Sequence, residues 1–510
     1  MRRTNIDIFF IFADGKIPCV YPLIKANLII YMKFKLLFWS LLAMTIIGCA
    51  DNDMPEKGDD NSTGNQENHP PLTFAVISDI HFGNNVGQGP LVKVPQALRN
   101  ITSQGELDAL VVVGDLTENG IISEYRQLVE TFQDPTVIVN PVKNFFFVMG
   151  NHDNFNSYGK SNFQTSLKPF NGGEDYPLNN YQVIKGYPFI MVSMLDRHNN
   201  DIEYPSYGTS TYPAETTNWL EETLEKASQE CPGKPIFVFT HMPPRWTIYS
   251  TWPELENGTA WCMKTLNPIL NKYPQAVVFS GHNHYPMGDP RSIHQGANPN
   301  SPRQIYYTVI NTSSTTYAVM YKNAFSDSIN EVYPANYADI TEGLIVTELS
   351  NGDIEVKRYD TYRNEEIAAD KRWVLKAPFD GSQFTYADLR DKDDNPLNKE
   401  LYSGGDAPVF ADDAFLSLTT SPTAVMVKFP HATDDDCVFR YVFNVYEAAT
   451  KTLVKKEYAS SQFYMNSAKP AKLTLTISGL KSKTAYYIEA KALDSYDNES
   501  AALVKEFTTK

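Results

Sequence analysis

The sequence has few cysteines, and its basic residues are too few to balance its acidic ones. Its 510 residues contain five cysteines, too few for a fold held together by disulfides. Lys and Arg total 44 against 60 Asp and Glu, which gives a formal net charge of -16. Nucleic-acid binding needs a basic face that displaces counterions, so we expect no specific nucleic-acid binding. Hydrophobic residues make up 42% of the chain, which excludes a mostly disordered protein.

The N-terminal part also lacks an apolar run long enough to span a membrane. The run Leu36–Ile47 has 12 residues, whereas a membrane-spanning helix needs about 20. Lys33 and Lys35 precede this run and Cys49 follows it, which indicates an export signal. The segment Ile46–Cys49 resembles the lipobox of bacterial lipoproteins, which implies cleavage before Cys49 and acylation of its thiol. The alternative is an ordinary secretion signal with a chance cysteine.

These features predict how the first 71 residues divide. Residues 1–48 form the signal segment, with Met32 as the expected true start. Residues 49–71 are too polar to fold, so we expect a lipidated flexible stalk. Cys49 would then anchor the protein to a membrane of the bacterial cell envelope, as a periplasmic or cell-surface protein. The remaining cysteines are expected to be buried small residues rather than a redox site: Cys231, Cys262 and Cys437.

From Leu72 onward, short apolar runs alternate with helical patterns. The spacing of apolar residues predicts helices over Ser123–Gln133 and Thr216–Gln229. Alternating strands and helices indicate an α/β fold built from layers of sheet and helix. Six runs rich in Val, Ile and Phe predict strands covered on both faces: Phe74–Ile77, Ala109–Val113, Phe145–Met149, Phe189–Val192, Ile236–Phe239 and Ala276–Phe279.

The later part of the chain has β patterns. Gly343–Val346 and Ile354–Val356 flank Asn351-Gly352, which predicts a hairpin. The last hundred residues are predicted to be all-β. The expected strands there lie near Ala424–Phe429, Val438–Tyr446, Leu473–Ile477, Tyr486–Leu493 and Leu503–Phe507.

Side chains able to bind metal ions follow the predicted strands at the point where each strand ends. An Asp-x-His or His-x-His spacing in an extended segment lets both side chains point the same way. Histidine, Asp and Asn without cysteine form a nitrogen and oxygen donor set, which suits Mn, Fe or Zn. Glycines before three of these residues let the backbone turn as the strand ends. The residues are Asp79, His81, Asp115, Asn151, His152, Asp153, His241, His282 and His284.

Each of these short patterns is weak by itself. A lone Gly-Asp is usually a turn, and a single histidine beside an apolar run is more often a core or surface residue than a ligand. The five segments together are a strong signal, because all lie at the same end of a predicted strand. Ligands in α/β sheets bind at the carboxyl ends of the strands. We therefore expect one site rather than several unrelated turns.

The order of these motifs resembles the calcineurin-like metallophosphoesterases: Asp-x-His, Gly-Asp, Gly-Asn-His-Asp, a later His and Gly-His-x-His. The resemblance covers about residues 72–359. It implies a four-layer α/β/β/α sandwich with two divalent metal ions at the sheet edge. Asp79, His81 and His284 would hold one ion, whereas Asn151, His241 and His282 would hold the other. Asp115 would bridge both.

The chemistry implied by the resemblance suits these residue types. Two divalent ions can clamp a phosphoryl group and lower the pKa of a shared water that attacks phosphorus. Asp115 offers a carboxylate that can bind two cations, and Asn151 can ligate without adding charge. His152 would face the substrate and donate to a phosphate oxygen or to the leaving group. The alternative role for His152 is to order the loop.

Two positions depart from the pattern of protein Ser/Thr phosphatases. Glu118 stands where that pattern has its second Asp, and we expect Glu118 to orient His152. Asn119 replaces the phosphate-binding Arg, which argues against a protein phosphatase. Glu118 also stands where purple acid phosphatases carry a tyrosine ligand, so a tyrosine–iron site is not expected. Asp153 is expected to be a loop-capping carboxylate.

Some residues near these motifs leave two interpretations open. Arg245 could contact phosphate, although an exposed arginine is the commoner outcome. The long segment 286–339, with Tyr317 and His294, either sets substrate choice or only packs on the sandwich. His198 is expected to be a surface residue.

The C-terminal region resembles a fibronectin type III domain. Leu480, Thr484, Tyr486 and Ile488 match the spacing before and along a late strand, and the alternation continues to Ala492. The predicted organisation is therefore a metallophosphoesterase domain over residues 72–362, a connecting segment over 363–406 and an all-β Ig- or fibronectin III-like sandwich over 407–510. We expect a spacer or adhesion role for the last domain, whose protein or glycan partner is unknown.

The sequence predicts an exported, lipid-anchored hydrolase that cleaves small-molecule phosphate esters, and we favour a phosphodiesterase. A phosphomonoesterase or nucleotidase is the alternative within the same chemistry. A non-catalytic binding lipoprotein on the same scaffold is the alternative outside it. Loss of Asp115, Asn151 or a motif histidine would have favoured the binding protein, and none of them is lost.

Overall fold

Two mixed sheets and a separate pair of antiparallel sheets make up most of the secondary structure. The computed structural model describes residues 70–193, 209–210, 212–252, 262–300, 302–321, 331–386 and 406–510, and the chain from residue 69 onward clusters as one unit. The predictions for Cys49, Met32, the stalk and His198 lie outside these residues. The helices are α1 (Pro90–Thr102), α2 (Ile122–Gln133), α3 (Gly159–Ser166), α4 (Ala214–Glu230) and α5 (Asn267–Leu270).

The strands fall into two groups along the chain. Those before residue 376 are β1 (Thr73–Ile77), β2 (Ala109–Val113), β3 (Phe145–Val148), β4 (Asn179–Ile184), β5 (Tyr187–Val192), β6 (Thr209–Ser210), β7 (Ile236–Thr240), β8 (Cys262–Met263), β9 (Ala276–Ser280), β10 (Ile293–Gln295), β11 (Thr308–Asn311), β12 (Met320–Tyr321), β13 (Glu331–Val332), β14 (Glu342–Glu348), β15 (Ile354–Asp360), β16 (Glu365–Ile367) and β17 (Trp373–Leu375). Those after it are β18 (Ser417–Thr420), β19 (Ala424–Phe429), β20 (Val438–Glu447), β21 (Thr452–Ser460), β22 (Leu473–Ser478), β23 (Ala485–Asp494) and β24 (Leu503–Thr508).

The first group forms two large sheets with parallel centres. The first sheet has the order β16-β15-β14-β1-β2-β3, with β17 also paired to β15. The second has the order β10-β11-β9-β7-β5-β4. Strands β1, β2 and β3 run parallel to one another, as do β5, β7, β9 and β11. The carboxyl ends of the parallel strands in each sheet therefore meet at one edge of that sheet.

The two sheets pack face to face through large apolar side chains, and helices cover their outer faces. Phe74 and Val111 of the first sheet share a core with Phe189, Phe237 and Phe279 of the second. The strands are continuous apolar runs because alternate residues, Ala75 or Val112 for example, face the helices instead. Helices α1, α2 and α3 pack on the first sheet, and α4 and α5 on the second. The α/β prediction is confirmed, and the layers run helix, sheet, sheet, helix.

The predicted helices and hairpin agree with the structure, while the connecting segment does not. Helix α2 begins one residue before the predicted start, and α4 extends the second prediction at both ends. Strands β14 and β15 form the predicted hairpin. Residues 363–406 are not merely a connection, because β16 and β17 within them both pair with β15. Helix α1 was not predicted, and Pro90 and Pro95 interrupt its apolar pattern.

The C-terminal residues form two antiparallel sheets around their own core. One has the order β18-β19-β22 and the other β21-β20-β23-β24. Val427 and Ile477 of the first sheet pack against Tyr441, Phe443 and Ile488 of the second. All five strands predicted for this region are present in these sheets. We call residues 407–510, which comprise these seven strands and the segments that join them, the C-terminal sandwich.

Two further observations concern the burial of the cysteines and the length and polarity of the helices. Cys231, Cys262 and Cys437 are buried, as predicted. Among the helices that the structure describes, none is long and apolar enough to cross a membrane.

Candidate metal centre

The predicted donor residues converge at the edge where the parallel strands end. Asp79 and His81 follow β1, Asp115 follows β2, and Asn151 follows β3. His241 follows β7, and His282 and His284 follow β9, so the second sheet supplies the remaining ligands. Main-chain hydrogen bonds join the loops: the amide of Asp79 donates to Gly114, and that of Gly281 donates to His241. The structure thus brings together all seven predicted ligands.

One group of donor atoms comprises Asp79, His81, Asp115 and His284, all buried, with their ligand atoms within 4.8 Å of one another. His284 Nε2 lies 3.0 Å from Asp79 Oδ1 and 3.3 Å from His81 Nε2. His81 Nε2 lies 3.6 Å from Asp115 Oδ2. Two imidazole nitrogens and two carboxylates around one point are a suitable donor set for a divalent cation.

A second group comprises Asp115, His241 and His282, with Asn151 beside them. His241 Nε2 lies 3.2 Å from Asp115 Oδ2, 3.1 Å from Asn151 Oδ1 and 3.2 Å from His282 Nδ1. Asp115 is the residue that the two groups share, as expected for a bridging carboxylate. The two groups reproduce the division of ligands that the family resemblance implies.

Three ligand histidines are oriented by a hydrogen bond at the ring nitrogen opposite the site. Nδ1 of His81 lies 2.9 Å from Glu118 Oε2, and Nδ1 of His284 lies 3.0 Å from the Tyr317 carbonyl oxygen. Nδ1 of His241 lies 3.0 Å from the Val113 carbonyl oxygen. These acceptors assign the proton to Nδ1 and turn the Nε2 lone pair toward the donor groups. Facing lone pairs repel one another, and a cation between them removes that repulsion.

The backbone is strained at most of the ligands. Five of the seven have positive φ, between 44° and 70°: Asp79, His81, Asp115, His282 and His284. Asp and His tolerate this left-handed conformation better than most residues, but it still carries a cost. Such strain is retained where the surrounding structure holds it, and it is concentrated at functional sites.

The motif glycines act mainly by allowing close approach. Gly114 has φ +83°, and a Cβ there would overlap the His241 ring. Gly150 and Gly281 have no positive φ, so the sharp turn predicted for all three is found at Gly114 alone. A Cβ at Gly150 would overlap the Asp115 carboxylate, and one at Gly281 would overlap Ser78 and Asp79.

Burial and close charges set the ionisation of these groups. Burial alone would raise the pKa of Asp115, but His241 and His152 outweigh it and hold that pKa well below its ordinary value. Burial, with the charge of His241, lowers the pKa of His282 to about 3. Burial would also lower the pKa of His241, but Asp115 and Asp79 raise it to about 9. A metal ion must therefore displace a proton from His241 at neutral pH.

His152 lies at the mouth of the site and is not among the buried ligands. Its side chain is 21% exposed, and its main-chain N–H donates to Asp115 Oδ1 over 2.9 Å. Nδ1 lies 3.0 Å from the carbonyl oxygen of Glu118, which leaves Nε2 available to a substrate. Its ring packs between those of His81 and Phe155. This position suits the predicted role in substrate contact.

Glu118 contacts the predicted partner His152 through its main chain, and its carboxylate has a second partner. Its carboxylate accepts a hydrogen bond from the Asn84 side chain and lies 2.9 Å from Nδ1 of the ligand His81. The same carboxylate is 3.8 Å from Nδ1 of His152, which is bonded instead to the Glu118 main chain. The glutamate is one methylene longer than the aspartate of the pattern, so its carboxylate reaches past His152 to His81.

Asp153 and Asn119 stabilise the loops. Asp153 is fully buried and accepts hydrogen bonds from the amides of Leu116, Thr117 and Gly150, which agrees with the predicted loop-capping role. The Asn119 side chain donates to Glu124 of α2 over 2.8 Å, so it is turned to the helix.

Two aromatic residues near the site were not recognised as part of it. The Tyr317 ring lies 4.3 Å from that of His284 and 5.6 Å from that of His81. Phe155 packs on His152 with 4.3 Å between ring centroids. The segment 286–339 therefore contributes Tyr317 to the wall of the site, while His294 in β10 is buried. Arg245 is half-buried and lies over the ring of Trp246.

Comparisons with known proteins agree with this geometry. Residues 72–286 match the family model described as Calcineurin-like phosphoesterase. The chain is similar to the probable glycerophosphodiester phosphodiesterase GpdQ of Arcobacter nitrofigilis, with 29% identity over 180 residues. These residues are 35% of this chain and 56% of that protein, so the match spans little more than half of the relative.

A second relative is the 3',5'-cyclic-nucleotide phosphodiesterase alr5338 of Nostoc sp., at 23% identity over 49% of this chain and 84% of that protein. Among solved structures, the purple acid phosphatase PPD1 of yellow lupin (Lupinus luteus) matches with a TM-score of 0.40 and 13% identity. That match covers 60% of this chain and 54% of the other. The chain contains a calcineurin-like phosphoesterase domain with a buried Asp/His cluster suited to a dinuclear metal site.

Proposed function

We propose that this chain, which contains a calcineurin-like phosphoesterase domain, is a metal-dependent hydrolase of small-molecule phosphate diesters. The observation that carries the proposal is the position of Asp115, whose carboxylate belongs to both donor groups. Two relatives are named as phosphodiesterases, which supports the diester over the monoester. The oxygen and nitrogen donors suit Mn, Fe or Zn.

The residues divide the chemical work between them. When bound, two divalent cations would polarise the phosphoryl oxygens and lower the pKa of a water near them. Asp115 would offset their charge, and the neutral Asn151 would limit the total negative charge. A protonated His152 donates Nδ1–H to the Glu118 carbonyl and would offer Nε2–H to the leaving oxygen.

The surroundings of the phosphate favour a diester. A phosphate monoester carries a second negative charge, which a further cation would stabilise. Asn119 stands where the protein phosphatase pattern has an arginine, and its side chain is bonded to Glu124. A phosphomonoesterase or nucleotidase remains the second candidate. A pure binding protein would not need both donor groups to be complete.

Hydrolysis of bis-p-nitrophenyl phosphate and p-nitrophenyl phosphate tests this function. With added Mn²⁺ we expect turnover of both and a higher kcat/KM for the diester. Chelation should abolish turnover, and Mn²⁺ should restore it. A higher kcat/KM for the monoester would select the second candidate. Bound metal without turnover of either ester would contradict hydrolysis of simple esters and favour the binding protein.

Export and anchoring are part of the proposal. The segment up to Cys49 supports a lipoprotein attached to the cell envelope through acylated Cys49. Expression in a bacterial host with labelled palmitate should label the wild-type chain and leave Cys49→Ser unlabelled. Equal labelling of both would contradict the anchor.

The fibronectin III-like identity of the C-terminal sandwich is likewise proposed. Two antiparallel sheets with three and four strands and a shared core support it. An experimental structure of the full chain that shows another strand connection between these sheets would overturn it.

A further inference from the structure

The C-terminal sandwich is in direct contact with the phosphoesterase domain. A buried cluster joins Tyr249, Tyr285, Ala318, Met320 and Ile340 of that domain to three residues of the sandwich. The three are Phe439, Tyr464 and Met465. We call this the junction cluster. Its members are at most 5% exposed, so the two parts share a core instead of touching at a rim.

A buried ion pair lies in the same junction. Arg291 donates to Asp289 through Nε over 2.9 Å and through Nη2 over 2.7 Å. The sandwich completes the surroundings of this pair, because Ser495 Oγ donates to Asp289 Oδ2 over 2.8 Å. The Phe439 ring lies 4.4 Å from the Arg291 guanidinium. Removing these contacts would leave a buried charged pair only partly satisfied, which is costly.

A β-bulge directs Phe439 to the junction. Strands β20 and β23 pair Val438 with Asp494 and Arg440 with Leu493, so Phe439 is an extra residue that has no register partner on β23. Further along β20, Tyr441 and Phe443 face the core of the sandwich, whereas Phe439 belongs to the junction cluster. Bulges re-aim single side chains in this way.

The junction residues alternate along the chain with residues that hold a metal ligand. Tyr285 directly follows the ligand His284, and its hydroxyl donates to Asp289 over 2.7 Å. Nδ1 of His284 donates to the carbonyl of Tyr317, and the amide of Val319 donates to the carbonyl of His284. Ala318, which lies between those two residues, is a member of the cluster.

We propose that the C-terminal sandwich is a positioning element of the metal centre, which holds the ligand His284 in place by packing on Tyr285 and Arg291. His284 has a left-handed backbone, with φ 49°, and such a conformation persists only when its neighbours hold it. The sandwich therefore sets metal affinity in addition to any adhesive role. This inference rests on the proposed metal-dependent function.

Matched substitutions in the full chain test the proposal. Phe439→Leu and Ser495→Ala alter the junction. Phe443→Leu is the control for the first, because Phe443 is on the same strand but buried in the core of the sandwich. Ser500→Ala is the control for the second, because Ser500 accepts from the amide of Ala492 within the sandwich. Thermal melts establish the temperature at which all four variants are folded.

Mn²⁺ binding to the chelator-stripped proteins, measured by calorimetry, is the main readout. We expect the junction variants to bind Mn²⁺ about tenfold more weakly, the scale found when groups that orient metal ligands are lost. We expect the controls to change less than about twofold, since they share no partner with the metal loops. At saturating Mn²⁺ the junction variants should regain the wild-type kcat.

Two results would overturn the positioning role. One is unchanged Mn²⁺ affinity in both junction variants, and the other is an equal loss in the controls, which would mean that general destabilisation is responsible. Wild-type protein that binds Mn²⁺ but hydrolyses no ester would contradict the proposed function alone. The calorimetric comparison would still decide the positioning role.

Discussion

Asp115 is the residue whose replacement has the largest expected effect on the metal centre. Its Oδ2 lies 3.2 Å from His241 Nε2 and 3.6 Å from His81 Nε2, one ring from each donor group. Asp115→Asn keeps the size of the side chain and removes its charge. At an effective dielectric constant of about 20, two unit charges about 4 Å apart interact by about 4 kcal/mol. If the substitution removes one charge interaction of this size, kcat/KM is expected to fall about 10³-fold.

The assay is Mn²⁺-dependent hydrolysis of bis-p-nitrophenyl phosphate, combined with the metal content per chain. We expect Asp115→Asn to lose activity and to bind fewer ions than the wild type. Asp412→Asn, the same chemical change at an exposed carboxylate, is the control and should behave as wild type. A kcat/KM within about tenfold of wild type at equal metal content would refute the bridging role. A tenfold change corresponds to about 1.4 kcal/mol, which is well below the interaction energy of about 4 kcal/mol expected for the lost charge.

Four further predictions concern the neighbouring residues. Glu118→Gln should weaken Mn²⁺ binding about tenfold in a calorimetric titration, because the charge that orients His81 is lost. His152→Ala should lower kcat about 10²- to 10⁴-fold with unchanged metal content, as for loss of a general acid. Gly281→Ala should lower the melting temperature and the bound metal together, because its Cβ would overlap a buried serine hydroxyl. Since His241 has its pKa raised to about 9, Mn²⁺ affinity should rise with pH up to that value, and calorimetry in buffers of different ionisation enthalpy should detect proton release at pH 7.

The cluster of donor residues could be predicted from the sequence because local signals locate its members. Each follows an apolar run that forms a buried parallel strand, and the carboxyl ends of such strands meet at one edge. Asp79 and His241 come from different sheets and are 162 positions apart in the sequence. Asp79 Oδ1 nevertheless lies 4.0 Å from His241 Nε2. The strand pattern and the ligand pattern support each other, whereas neither would suffice alone.

The groups that orient the ligands could not be predicted in the same way. Two of the three acceptors at histidine Nδ1 are main-chain carbonyl oxygens, of Val113 and Tyr317, and a carbonyl carries no sequence signal. Tyr317 lies in a segment whose apolar residues show no helical or strand periodicity. The partner of Glu118 was missed because the family pattern has the shorter aspartate at that position. Such contacts depend on side-chain reach and loop geometry.

Two edge strands of the C-terminal sandwich, β18 and β21, were not predicted. Strand β21 forms one edge of its sheet and carries charged residues over Lys455–Glu457, as edge strands commonly do. Its side chains do not alternate between buried and exposed, which is the pattern that reveals a half-buried strand. The burial of the central strand β23 alternates over residues 485–492. Both central strands, β20 and β23, were predicted with bounds that differ by at most one residue at either end.

Backbone strain explains why the metal centre depends on distant parts of the chain. Each left-handed Asp or His costs about 1–3 kcal/mol unless the surroundings hold it. The predicted ligands alone do not supply that restraint. Buried neighbours supply it: Asp153 ties the loops after β2 and β3, and the Ser495–Asp289 bond lies behind the loop of His284. A local motif therefore specifies which atoms would bind metal, whereas the packed fold, including the C-terminal sandwich, determines where those atoms are held.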